Sequence, residues 1–154
     1  MDELRQRALR LLARRDHSRA ELRKKLAPHA ESEEQLMQLD ALLEDLAGRR
    51  LLSDVRYAEN RASSRGARYG NARLLQELKL QGVSKEVAAE AIAGIGDEFA
   101  RAHAIWARKF GKLPSDATER AKQTRHLLSR GFSGEVIRRV LRGEADIPAD
   151  PDES

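Results

Sequence analysis

The sequence predicts an all-α fold: three tandem three-helix repeats forming an elongated curved solenoid. Three observations predict it. Ala, Leu, Arg, Glu, Gln and Lys dominate the chain, and all are strong helix formers. No window alternates with period two among β-branched residues, so no strand is expected. Finally, the chain repeats itself. The segment Leu78-Lys79-Leu80-Gln81-Gly82-Val83-Ser84-Lys85-Glu86-Val87 recurs 49 residues later as Leu127-Leu128-Ser129-Arg130-Gly131-Phe132-Ser133-Gly134-Glu135-Val136. A fainter copy lies upstream, where Leu22 and Leu26 correspond to Leu74 and Leu78 at a spacing of 52. Units of about 50 residues bury too little apolar surface alone and must stack.

Caps and stops divide the chain into nine helical stretches. The first runs from about Glu3 to Arg14, with Leu4, Ala8, Leu11 and Leu12 at helical spacing. Ser18, with Glu21 three residues on, reads as a capping box opening a second helix that stops before Pro28. Ser32 opens a third, whose stripe Leu36, Leu39, Leu43 and Leu46 ends near Gly48. Ser53 or Asp54 caps a fourth, ending near Gly70; Asn71 caps a fifth, ending at Gln81-Gly82; Ser84 caps a sixth, to about Gly94. Asp97 opens a seventh with Phe99, Ala102, Trp106 and Phe110 on one face, which is packing geometry. Ser115 or Asp116 opens an eighth, stopped by Gly131, and Ser133 caps a ninth, to about Arg142. Gly82 and Gly131 read as left-handed helix stops. The repeats are expected at 1–50, 51–96 and 97–142. Residues 143–154 hold two prolines and five acids and are expected to be a disordered acidic tail.

Composition narrows function. Charged residues make up 35% of the chain and aromatics only 4%, too few for a broad base-stacking platform. The absence of cysteine excludes disulfide frameworks and thiolate zinc sites. The opening residues, Met1-Asp2-Glu3-Leu4-Arg5, do not form a secretory signal, and no run of about 18 apolar residues would cross a membrane, so a cytoplasmic protein is expected. The net charge of +4 hides strong segregation. Residues 4–27 hold nine bases and two acids, 30–46 six acids and no base, and 101–142 eleven bases and three acids. Such patterning suits a polyanion, or a protein coating one.

Motifs for chemistry are missing. His17, His29, His103 and His126 share no metal-ligand spacing, and no phosphate-binding loop of the G-x-x-x-x-G-K-[ST] type occurs. Basic stripes are the better candidates. Arg61, Arg65 and Arg68 fall on one helix face, spanning about 10 Å. Arg7, Arg10 and Arg14 repeat the pattern in the first helix, and Arg101, Arg108 and Lys112 form a looser line in the third repeat. Arginine's planar fork suits phosphates and carboxylates alike. The plain alternative is that these arginines solubilise exposed helix faces. Tyr69, beside Gly70 and the arginine stripe, stands open between packing and base stacking.

Two stretches resemble the RecX family of bacterial recombination regulators. One is Leu52-Ser53-Asp54-Val55-Arg56-Tyr57-Ala58-Glu59 followed by Gly70 and then Leu74 to Gly82, similar to the family's middle repeat. The other, Ala8 to Leu26, resembles the family's opening helix pair around a serine and a Glu-Leu dipeptide. The resemblance spans about residues 4–142. It implies three three-helix repeats, a partner in the RecA filament on DNA, inhibition of the recombinase, no cofactor and no catalysis by the chain itself. Direct binding of single- or double-stranded DNA, no membrane partner and a monomeric state complete the expectation. A helix-turn-helix transcriptional regulator is the competing reading, from the Gly82-Val83-Ser84 turn within Leu74 to Ala91. Against it, Val87, Ala88, Ala89, Ala91 and Ile92 offer base edges few hydrogen bonds.

Overall fold

The structure, a computed structural model, describes residues 2–145. Among these residues the chain forms nine α-helices and no strand. They are α1 (Asp2–Arg14), α2 (Arg19–Leu26), α3 (Glu33–Gly48), α4 (Asp54–Arg65), α5 (Asn71–Leu80), α6 (Lys85–Ala93), α7 (Glu98–Lys109), α8 (Ala117–Ser129) and α9 (Gly134–Leu141). Pro28 does not simply end α2. It sits in a 3-10 turn, Ala27–His29, near whose start its missing N–H costs nothing. Residues 146–154, most of the expected acidic tail, lie outside the described residues. Glu144, a described residue near the start of the expected tail, pairs with Arg139 and Arg142 at 3.2 and 2.9 Å.

Local chemistry sets the helix starts. Ser18, Ser32, Ser84, Asp97, Asp116 and Ser133 each accept a backbone N–H three residues on, a bond worth about 1 kcal/mol. Ser53 does the same for Arg56, which settles the choice between Ser53 and Asp54. Three local expectations need correction. The capping box at Ser18 is half formed, because the Glu21 carboxylate pairs with Arg15 at 2.6 Å. Asn71 is not a cap: α5 begins on it, and its side-chain oxygen accepts from the Arg101 guanidinium. The fourth helix ends at Arg65 rather than near Gly70, and the carbonyls of Gly66 and Tyr69 in the turn that follows accept from Arg101.

Two compact units result. The first holds the residues up to Ser63 and Leu75–Gly94; the second holds Ser64–Leu74 and the residues from Ile95 on. In the first, Leu4 and Ala8 of α1, Leu22 and Leu26 of α2, Leu39, Leu42, Leu43 and Leu46 of α3, and Leu52 form a leucine core. Each buried leucine contributes about 1.5–3 kcal/mol. The second unit has an aromatic core, with Phe99, Ile105 and Trp106 of α7 packed on Leu127, Phe132, Ile137, Val140 and Leu141. Its indole N–H donates to the buried Gln123 at 2.8 Å. The Gln123 amide in turn donates to the carbonyl of Lys112 and the carboxylate of Glu119, each at 3.1 Å.

One junction is built twice, once inside each unit. In the first unit the Ser18 hydroxyl donates to the carbonyl of Gln81 at 2.5 Å, and Gly82 (φ 77°) follows as the left-handed stop of α5. In the second, the backbone N–H of Gly70 donates to the carbonyl of Arg130 at 2.8 Å, and Gly131 (φ 88°) follows as the stop of α8. An acid at the start of a helix completes each junction. Asp54 accepts the N–H of Arg19 at 2.7 Å; Glu98 accepts those of Asn71 and Ser133, each at 3.1 Å. An arginine clamps the preceding loop in both. Arg56 donates to Asp16 at 2.8 Å, while Arg101 donates to the carbonyls of Gly66 and Tyr69 at 3.0 and 2.8 Å.

Candidate partner interface

The nine cations singled out in the sequence divide into those left to solvent and those used by the fold. On α1, the spacing of three and four residues puts Arg7, Arg10 and Arg14 on one face. Arg7 pairs with Glu3 at 3.2 Å. Arg10 and Arg14 are exposed and have no ion pair among the described residues. All three line a cavity of about 230 Å³ within the first unit, together with Lys25 and His29, over a floor of Leu11 and Leu26. Lys25 reaches that rim while donating to Nε2 of His17 at 3.2 Å and lying 3.7 Å from Glu21. Burial pushes the Glu21 carboxyl up, but the hydrogen bond from Arg15 and the charges of Arg15, His17 and Lys25 bring it below the usual range.

On α4, Arg61 and Arg65 are half-buried, and Arg68 is exposed in the turn beyond the helix. The shortened helix thus takes Arg68 off the stripe expected for it. Arg65 lies over the Tyr69 ring at 4.6 Å, and Arg73 and Arg130 also lie against it, at 4.0 and 5.5 Å. Tyr69 therefore neither enters a core nor stands free for a base: guanidinium groups stack on it, each contact worth about 0.5–1 kcal/mol at an exposed site.

In the third repeat the looser line divides. Arg101 is half-buried and committed to the Gly66, Tyr69 and Asn71 oxygens, and burial lowers its affinity for the proton. Arg108 and Lys112 are exposed, with side chains that carry no hydrogen bond or ion pair among the described residues.

Sequence reasoning missed Lys25, His29, Arg73 and Arg130. Lys25 and His29 escaped because the pocket joins two helices, whereas stripes were sought along one. Arg73 and Arg130 meet at Tyr69 although 57 residues separate them. The one usable signal was a pair of glycines, Gly70 next to Tyr69 and Gly131 next to Arg130.

Guanidinium and ammonium groups only donate hydrogen bonds, so these surfaces select acceptor-only anions such as phosphates and carboxylates. Among the described residues no group of three or more His, Cys, Asp or Glu is placed to hold a metal ion. No helix among them is long and apolar enough to cross a membrane.

Comparison with known proteins bears on the whole chain. Three family models match in order: the first three-helix domain of RecX over residues 5–34, the second over 53–92 and the third over 96–141. The regulatory protein RecX of Ralstonia pickettii is 47% identical over 152 residues, covering 98% of this chain and 94% of the relative. That of Ralstonia nicotianae is 48% identical over 151 residues, covering 97% and 93%. Among solved structures, RecX from Lactobacillus salivarius superposes with a TM-score of 0.76 at 19% identity, covering 92% of this chain and 94% of that one, a likeness of fold. On the strength of the three domains in order and relatives alike over nearly their full length, the chain belongs to the RecX family of regulatory proteins.

Proposed function

We propose that this protein binds the filament that the RecA recombinase forms on DNA and restrains it, lowering ATPase, strand-exchange and coprotease activities. In that role it tunes DNA recombination, repair and the SOS response from the cytoplasm, as a monomer and without catalysis of its own. Membership of the RecX family supports this choice of partner. The observation that carries the mode of action is the set of spare cations: Arg10, Arg14, Arg68, Arg108 and Lys112 are exposed and unpaired among the described residues. An exposed arginine contributes little to stability. Cations held ready for a partner speed association and bind acidic or phosphate groups. Arg101 drops out of the contact surface, because its guanidinium already serves the fold. In this reading the three repeats, at 1–50, 51–96 and 97–142, each bring cations to the partner.

The test uses purified RecA, single-stranded DNA and the full chain. Reversing Arg68, Arg108 and Lys112 to Glu leaves helicity unchanged by circular dichroism and weakens inhibition of the DNA-dependent ATPase at least roughly tenfold, with a flatter dependence on salt. Unchanged inhibition removes these residues from the interface. Reversing Arg61 and Arg65 would be a poorer test, since Arg65 also stacks on Tyr69.

A further inference from the structure

The groove between α4 and α6, within the first unit, joins apolar walls to unmatched negative charge. Five residues line it: Val55 and Glu59 from α4, and Val87, Glu90 and Ala91 from α6. Each wall thus carries a valine and, about one helical turn on, a glutamate. Val55 is 51% exposed, unlike the aliphatic side chains of the core. Glu59 and Glu90 are exposed and make no side-chain hydrogen bond or ion pair among the described residues. Arginine is plentiful, and Asp16, Glu21, Asp40, Glu44 and Asp45 of the same unit are each paired with one. Arg56, three residues before Glu59, is committed to Asp16 and to the carbonyls of Arg50 and Leu51. Glu86, also exposed and unpaired, stands four residues before Glu90, so like charges add along α6.

We propose that this groove is a docking site for an arginine side chain presented by a partner protein. Charge comes first. A cation entering the groove meets carboxylates from both walls that the chain leaves without a partner. The same charge turns nucleic acid away: were α6 laid in a DNA groove, Glu86 and Glu90 would bring negative charge to the phosphates. Size comes next. The cavity is about 80 Å³, room for one side chain and not for a strand or a helix. The walls then select among cations. An arginine stem packs on the two valines, while its weakly hydrated, forked guanidinium reaches acceptors on two sides. A metal ion gains nothing from valine, and among the described residues no group of three or more His, Cys, Asp or Glu is placed to hold one. The exposed Val55 carries the apolar surface out of the groove, toward residues flanking the arginine, which a small polyamine lacks. An arginine anchored in a pocket with apolar contacts around it is a common centre of protein interfaces.

The groove goes beyond the reading above, which uses cations alone, and stands or falls without it, since the recombinase is absent from the test. The full chain, labelled on its valine methyl groups, is titrated with a peptide of alternating arginine and leucine, with the same peptide carrying glutamate for arginine, and with spermidine. Methyl shifts are followed by NMR. The arginine peptide moves the signals of Val55 and Val87 saturably, and the other two leave them in place at the same concentration. Glu59→Gln with Glu90→Gln weakens binding of the arginine peptide about tenfold and flattens its dependence on salt. The reference variant, Glu33→Gln with Glu34→Gln on α3, also exposed and unpaired among the described residues, changes binding by less than about twofold. Val55→Ser keeps both carboxylates and weakens the peptide roughly threefold, which reads the apolar wall separately from the charge. All are surface changes, and circular dichroism checks that helicity is kept. Equal losses in the two glutamine variants overturn the proposal. So does spermidine bound as tightly as the arginine peptide, or a Val55→Ser variant that binds the peptide as the unaltered chain does.

Discussion

The junctions at Ser18/Gly82 and Gly70/Gly131 perform the same task with different groups. In the first unit a hydroxyl spans the gap, so the two backbones stand one side chain apart, and Ser18 both donates to Gln81 and accepts from Glu21. In the second unit the gap is closed. A Cβ on Gly70 would lie 2.4 Å from the carbonyl oxygen of Gly131, so the backbone itself makes the bond. The spacing of the repeat is thus preserved while its chemistry changes. What holds neighbouring repeats in register is the exposed carbonyl ahead of a stop glycine, and either a serine hydroxyl or a bare peptide N–H satisfies it.

The largest expected effect tests that difference. Gly70→Ala drives a methyl group into backbone that cannot move away and costs about 3 kcal/mol or more in urea unfolding. Gly82→Ala meets only the Ala20 methyl group, at 2.3 Å, but adds the penalty of φ 77°, for about 2–3 kcal/mol. Adding Ala20→Gly recovers the steric part of that cost and leaves about 1–2 kcal/mol from the backbone angle. No single side-chain trim rescues Gly70→Ala, because the atoms it meets are the backbone of Gly131 and Phe132; recovery by Ala20→Gly in the Gly82 variant but by no trim in the Gly70 variant is the expected contrast.

The arginine clamps give the next contrast. Arg101→Ala strands the oxygens of Gly66, Tyr69 and Asn71 and lowers stability by about 2 kcal/mol, whereas Arg108→Ala stays within about 0.5 kcal/mol. Thermal unfolding of the two variants side by side checks this, and equal values would return Arg101 to the list of spare cations. Ser18→Ala removes a fully buried hydroxyl with two partners and costs about 1–2 kcal/mol by the same measurement.

The smallest effect is a pH dependence in the first unit. Burial holds the pKa of His17 below its usual 6.5, reinforced by the charges of Arg15 and Lys25 and opposed by its bond to the Arg15 carbonyl and by Glu21. The unfolded chain therefore takes up a proton at His17 as pH falls below 6.5, while the folded chain resists. The stability contributed by neutral His17 is complete above that pH and is lost as pH drops through the lowered pKa. Unfolding temperatures measured at several pH values fall on acidification, and the fall is shallower in His17→Gln. An identical slope in that variant assigns the effect elsewhere, with His126, also depressed by burial, the next residue to replace.

Much of this molecule was legible before folding was considered. Ser32, Ser84, Asp97 and Ser133 cap the helices expected of them, and the two repeat glycines take positive φ as stops. These are local decisions, made within one turn of chain. The core stripe of α7 was equally plain, except that Phe110 is only partly buried. The polar interior was not legible. His17 lies between α1 and α2, and Gln123 on α8, with no pattern around either that marks a buried polar residue. Both are buried, and Lys25 and Trp106 supply the partners that satisfy them.

The sequence by itself determined where helices begin and stop, that the pattern recurs at a spacing near 50, and that cations gather along particular segments. Those facts depend on neighbours in the chain, so periodicity and capping chemistry suffice to read them. Only the tertiary structure decided which cations remain available. Arg101 and Arg108 look alike along one helix, yet one is consumed by three oxygens while the other meets solvent. The reason is that an exposed carbonyl or an apolar floor can come from residues far along the chain, and no spacing rule records what folding brings beside a side chain.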